Sequence, residues 1–172
     1  APTRLPLTMS TVSPTPASPV SMATRWLPSF FPFGSTGRAS SSLQLTRRGS
    51  LRVATTAPTR VATAEAVGLP GFQRPETYGL LFTGYLRVRR SGLYTITLSS
   101  DDGSVLEIGE RVVVDNDGWH SEAERSGMVA LAAGIHPLTI RFVQGSGGAV
   151  LSATIAFEGE PPMPLAGGYL AR

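Results

Sequence analysis

Two oxygen-rich loops hold most of the side chains capable of binding chemistry. Asp101-Asp102-Gly103 and Asp115-Asn116-Asp117-Gly118 lie about a dozen residues apart and contain all four aspartates of a 172-residue chain. Carboxylate and amide oxygens crowded together suit a hard cation, because calcium takes about six to eight oxygens at about 2.3–2.6 Å. Asp101, Asp102 and Asn116 are the candidate ligands. Trp119 and His120 follow directly, an indole able to stack on a sugar ring and an imidazole able to hydrogen-bond its hydroxyls, with Asp117 as a further polar contact. The same residues also suit plain turn chemistry, since Asp, Asn and Gly build Asx-turns and accept left-handed backbone at strand ends.

Other chemistries fit less well. Read as an EF-hand loop, Asp115 onward places Gly118 at the fourth position and Ser126 where the bidentate Glu belongs, and no helices flank it. Asp101 and Asp102 are adjacent, which does not suit an acid and a nucleophile separated by about 5 Å or more across a glycosidic bond. His120 and His136 lie in different loops, with no cysteine in the chain and no Gly-x-Ser-x-Gly elbow. Gly145-Ser-Gly-Gly148 precedes a strand rather than a phosphate-cradling helix. The reading is therefore non-enzymatic.

The loops need strands to hold them. Tyr78–Arg89 is β-rich, with apolar positions at Leu81, Tyr85 or Leu86, and Val88; Arg90-Ser-Gly92 turns the chain, and Leu93–Ser100 alternates cleanly, which predicts two antiparallel strands. Ser104–Ile108 and Arg111–Val114 flank Gly109-Glu110, a two-residue hairpin loop whose leading glycine suits a type II′ turn. Gly127–Ala132, Ile135–Val143 and Ala149–Phe157 follow, separated by Ala133-Gly134 and Gly145–Gly148. Seven short strands with no amphipathic helix predict an all-β, antiparallel β-sandwich over residues 65–172.

Residues 1–64 have a different texture. They contain seven Arg and no Asp or Glu, whereas residues 65–172 contain eight Arg and all twelve acids, so the two parts carry about +7 and −4. Pro, Ser and Thr dominate the first part, and its apolar residues are too scattered to form a face, so it reads as a long, extended basic N-terminal tail. Trp26-Leu-Pro-Ser-Phe-Phe-Pro-Phe33 is an extended aromatic plug, since its prolines rule out a helix interior. Trp26, Phe30, Phe31 and Phe33 filling pockets on a protein partner, with Arg47 and Arg48 on acidic rims, uses every feature of the segment. The arginines are too sparse for a dedicated nucleic-acid arm, and no apolar run of about 18 residues predicts a transmembrane span. The acid-free, Arg- and Ser-rich opening resembles an organellar transit peptide, and its first residue, Ala1, fits cleavage of a longer precursor.

Several segments resemble the protective-antigen (PA-fourteen) domain family. They are Phe82-Thr-Gly-Tyr-Leu86, Ser91-Gly-Leu-Tyr-Thr-Ile96, Ser99-Ser-Asp-Asp-Gly-Ser104, Val113-Val-Asp-Asn-Asp-Gly-Trp-His120, Leu131-Ala-Ala-Gly-Ile-His-Pro-Leu138 and the Pro162-Met-Pro-Leu ending, in unbroken order over about 67–172. The resemblance implies the same sandwich. It also implies, as in the adhesin members, paired aspartates joined by a cis peptide that hold calcium with an asparagine of the following acidic loop, the calcium also taking sugar hydroxyls. Asp101, Asp102 and Asn116 occupy those motif positions. The family's usual opening, a Tyr-rich strand and Trp-x-x-Leu-Pro-Asp-Phe, is reduced here to Trp26-Leu-Pro-Ser-Phe30. Either the tail donates a degenerate first strand or that strand is missing.

Two functions follow. The first is a non-catalytic accessory subunit, seated by residues 1–64 on a larger organellar assembly of plastid or mitochondrion, for instance a membrane-associated photosynthetic or respiratory complex. The second is a calcium-dependent glycan-binding module, secreted or at a cell surface. The tail places the first ahead at this stage.

Overall fold

The computed structural model describes residues 7–12, 44–45, 51–52, 60–69 and 78–171. Its strands are β1 (Leu7–Val12), β2 (Gln44–Leu45), β3 (Leu51–Arg52), β4 (Arg60–Ala64), β5 (Tyr78–Val88), β6 (Gly92–Asp101) and β7 (Ser104–Ile108). They continue as β8 (Arg111–Asn116), β9 (Ala123–Leu131), β10 (Gly134–Gln144), β11 (Val150–Phe157), β12 (Met163–Pro164) and β13 (Leu170–Ala171), with a 3-10 turn at Gly167–Tyr169. One sheet runs β4-β1-β5-β10-β7-β8, with β13 also on β5, and the other runs β12-β11-β6-β9; β2 and β3 pair separately. The result is an antiparallel β-sandwich, as the alternation predicts.

The core is the set of inward residues from the two sheets. Leu80, Phe82 and Leu86 of β5 and Ile140 and Phe142 of β10 cluster with Ile96 and Leu98 of β6 and Ile155 of β11, all at 0% exposure. Each such side chain contributes about 1.5–3 kcal/mol by leaving water. The inward set of β5 is thus the even-numbered one. Leu81 is only half-buried and Tyr85 is exposed, so the expected apolar positions at Leu81 and Tyr85 belong to the outer face. A one-residue change of register exchanges the two faces of a strand.

The pairing expected of Tyr78–Arg89 with Leu93–Ser100 also differs. β5 pairs with β1, β10 and β13 in one sheet, while β6 pairs with β9 and β11 in the other. Alternation specifies which face of a strand is buried but not which strand lies beside it, so a short link joining two sheets and a hairpin read alike. β7 and β8 do form the expected hairpin, and Gly109 has φ +62, the sign that primed turns require at their first central residue.

Two stretches assigned to the tail are strands of the larger sheet. β1 lies between β4 and β5, with Met9 opposite Phe82 and itself 4% exposed in the core. The sheet therefore takes a strand from far upstream of residue 65. The proposed docking residues Trp26, Phe30, Phe31, Phe33, Arg47 and Arg48 lie outside the described residues.

Sheet-to-sheet crossing is what builds a site. The links β6–β7, β8–β9 and β10–β11 each pass from one sheet to the other, and strand direction places all three at the same pole. They carry Asp102-Gly103, Asp117–Glu122 and Gly145–Ala149.

Candidate cation and glycan site

Asp101 ends β6, and its peptide bond to Asp102 is cis. The two carboxylates stand in different surroundings. Asp102 is buried: Oδ1 accepts the backbone N–H of His120 at 3.1 Å, and Oδ2 accepts that of Gly145 at 2.9 Å. One carboxylate thus fastens the other two loops to its own. Asp101 is half-buried, and its carboxylate has no hydrogen bond or ion pair among the described residues. Its Oδ2 faces the Gly145–Gly148 loop, 3.6 Å from where a Cβ on Gly148 would stand.

Close backbone contact packs the loops together. A Cβ on Gly103 would lie 2.7 Å from the carbonyl oxygen of Gly118 and 3.3 Å from Asp117 Oδ1, so a bare α-carbon is needed where these turns meet. Gly118 adopts φ +133, which disfavours a side chain there. The backbone N–H of Asp117 donates to Asp115 Oδ1 at 3.1 Å, the Asx-turn that the sequence suggests. Trp119 is 55% exposed, with one edge of its indole on Gly145, where a Cβ would stand 2.2 Å from Cζ3.

Asn116 is the pillar beneath. It is 4% exposed, and its Nδ2 donates to Ser100 Oγ at 2.9 Å and to the Ala123 carbonyl at 3.0 Å, which leaves Oδ1 as its amide acceptor. Ser100 in turn shares a 2.7 Å hydrogen bond with Ser104, closing a buried polar link between β6, β7 and β8.

His120 plays a part that sequence spacing did not disclose. Its Nδ1 meets the Ser121 carbonyl at 2.8 Å and its Nε2 meets the Asn116 carbonyl at 3.0 Å. A carbonyl oxygen only accepts, so both bonds form only when the ring carries two protons. Partial burial opposes that charge, but the bonds to Asn116 and Ser121, followed by the charges of Asp102 and Asp101, outweigh it and raise the pKa above the ordinary 6.5. With both nitrogens engaged, the ring has no free hydrogen-bonding group for a sugar hydroxyl. The ring that the sequence offers as a sugar donor is thus turned onto the backbone carbonyls of its own loop.

The donor set fits a hard cation. Asp101 and Asp102 bring two negative charges, neither paired with an arginine among the described residues, where the ion pairs are Arg90–Glu160 and Arg141–Glu107. Each oxygen of Asp102 spends one lone pair on a backbone N–H and keeps another. No group of three or more His, Cys, Asp or Glu side chains suited to a metal occurs among the described residues. A cation here would complete its shell from the Asn116 amide and loop carbonyls, which suits calcium and not a thiolate- or imidazole-seeking metal. Gly145–Gly148, which reads as a bare turn in the sequence, is the missing wall of the site.

Comparison with known proteins agrees with this fold. The sugar-binding PA14 domain of an RTX adhesin superposes with TM-score 0.53 at 21% identity, over 56% of this chain and 55% of that one. The A domain of epithelial adhesin 6 from Candida glabrata, solved with Galβ1-3GlcNAc, superposes with TM-score 0.61 at 14% identity, over 99% of this chain and 88% of that one. An anti-sigma factor domain-containing protein from Clostridium clariflavum gives TM-score 0.62 at 18% identity, over 67% of this chain and 42% of that one. The chain thus spans about half the length of the RTX adhesin structure. At these identities the superpositions speak for the fold. No curated protein matches the chain. The PA14 domain family matches residues 58–160, from β4 through the end of β11. The chain belongs to the PA14 domain family.

Proposed function

We propose that this protein is a non-catalytic, calcium-dependent carbohydrate-binding module, working outside the cell or at its surface. The observation that carries the proposal is the pair of adjacent carboxylates, Asp101 and Asp102, walled by two other loops and without an arginine partner among the described residues. Such a pair calls for a cation, and a calcium ion with open positions exchanges water for vicinal sugar hydroxyls. Asp101, Asp102 and Asn116 would hold the ion. Trp119 offers an exposed indole face beside it for the apolar side of a sugar ring, and Asp117 lies on the same rim.

Family membership supports the same reading, since two of the similar structures are adhesin domains, one described as sugar-binding and one solved with a disaccharide. These relatives favour the glycan-binding reading over an organelle-docked accessory subunit. Among the described residues no helix is long and apolar enough to cross a membrane. Calorimetric titration of calcium tests the proposal. The wild type should give a saturable heat that Asp101→Ala abolishes, and a flat wild-type signal would end it.

A further inference from the structure

A cavity lies at the opposite pole of the sandwich from the aspartate loops, where β5 and β11 end and β6 begins. Its volume is about 250 Å³. That is just below the range of about 300–1,000 Å³ typical of ligand pockets, and suits a single ring. The wall is aromatic. Tyr94 and Phe157 meet edge to face with centroids 5.1 Å apart, and Tyr169 from the 3-10 turn lines the same space.

Three arginines line it, in two different states. Arg90 is committed: its guanidinium lies 4.1 Å from the Phe157 ring centroid, pairs with Glu160, and its carbonyl accepts the Tyr94 hydroxyl at 2.7 Å. Arg87 and Arg89 have no acidic partner among the described residues. Arg87 lies near the end of β5, paired with Ile135 of β10, and Arg89 lies one residue past the strand's end. A ring-sized cavity with an aromatic wall and two lining arginines that have no acidic partner among the described residues favours an oxyanion carried on an apolar-faced ring, since guanidinium matches carboxylate and sulfate bidentately.

We infer that this cavity binds an acidic monosaccharide unit, a hexose-sized ring bearing a carboxylate or sulfate, independently of the aspartate loops. Arg87 and Arg89 hold the oxyanion, and Tyr169 takes the ring face, since Arg90 already lies over the Phe157 ring. Gly168 borders the cavity, and a Cβ added there would meet nothing within 4 Å, so a side chain can be introduced at this border.

The test is an amide-resolved NMR titration of the full chain in EDTA, which silences the aspartate pole, using glucuronate, glucose 6-sulfate and glucose. Saturable shifts at Gly168 and Tyr169 with either acidic sugar, and none with glucose, are expected. Whichever acid binds more tightly identifies the oxyanion. Arg89→Gln should weaken binding by about 10-fold or more, the worth of a charge-assisted bond. Gly168→Leu should block it with both arginines intact and the remaining spectrum unchanged. Equal binding of glucose, shifts confined to Asp101–Asp102, or binding that survives Gly168→Leu would each overturn the inference. If Gly168→Leu alters the whole spectrum, Arg89→Gln decides: a loss of less than twofold rejects the site.

Discussion

Asp102 Oδ2 accepts the backbone N–H of Gly145 at 2.9 Å, so a carboxylate at the end of the β6 turn fixes a glycine loop 43 residues downstream. Its other oxygen fixes His120. Asp102 is therefore a structural clamp as well as a candidate ligand, while Asp101 is not tied in this way. Asp102→Ala leaves two backbone donors without their acceptor and should cost about 1–3 kcal/mol of stability, or more if both stay buried. Asp101→Ala should change stability by less than about 0.5 kcal/mol. Urea unfolding of both variants without calcium checks the contrast.

Gly127 on β9 carries the backbone of β8. A Cβ at this position would lie 1.8 Å from the Val113 carbonyl oxygen, on the bulged stretch of β8. Backbone cannot swing aside as a side-chain tip can, so Gly127→Ala should destabilise the fold by about 1–3 kcal/mol. A midpoint shift in denaturant with an unchanged slope is the expected signature.

Trp119 rests on Gly145 with no room for a methyl group between them. Gly145→Ala should displace the indole while leaving the Asp102 acceptor in place. In a Trp26→Phe background, where Trp119 is the remaining tryptophan, the emission should shift and sugar affinity should fall several-fold, with calcium affinity kept. Loss of both affinities together would place Gly145 with the cation instead.

His120 predicts a pH dependence of stability in calcium-free protein. Its folded pKa is raised, so its stabilising contribution is fully present below the unfolded value near 6.5 and is lost as pH rises through the folded value. NMR titration of the ring should therefore place its midpoint above 6.5. His120→Gln should flatten that part of the stability profile.

The sandwich was legible because Leu93–Ser100, Ser104–Ile108 and Ile135–Val143 alternate, and because Gly109 sits where a primed turn needs it. The grouping of the candidate ligands was legible: Asp101, Asp102 and Asn116 share a pole. Three things were not. β1 escaped because Leu7 and Met9 offer only two alternating apolar residues, and its pairing with β4 and β5 is long-range. The Gly145–Gly148 wall escaped because glycines announce a turn and not what the turn packs against. His120's double donation depends on two carbonyl positions that no side-chain pattern encodes.

The central claim is calcium-dependent glycan binding at Asp101 and Asp102. The most direct measurement is binding of the protein to a glycan array in calcium and again in EGTA, beside Asp101→Ala in calcium. The account predicts a defined set of bound neutral glycans in calcium, lost with EGTA and lost with the variant. Neutral-glycan binding that persists undiminished in EGTA, or the absence of any bound neutral glycan in calcium, would contradict it.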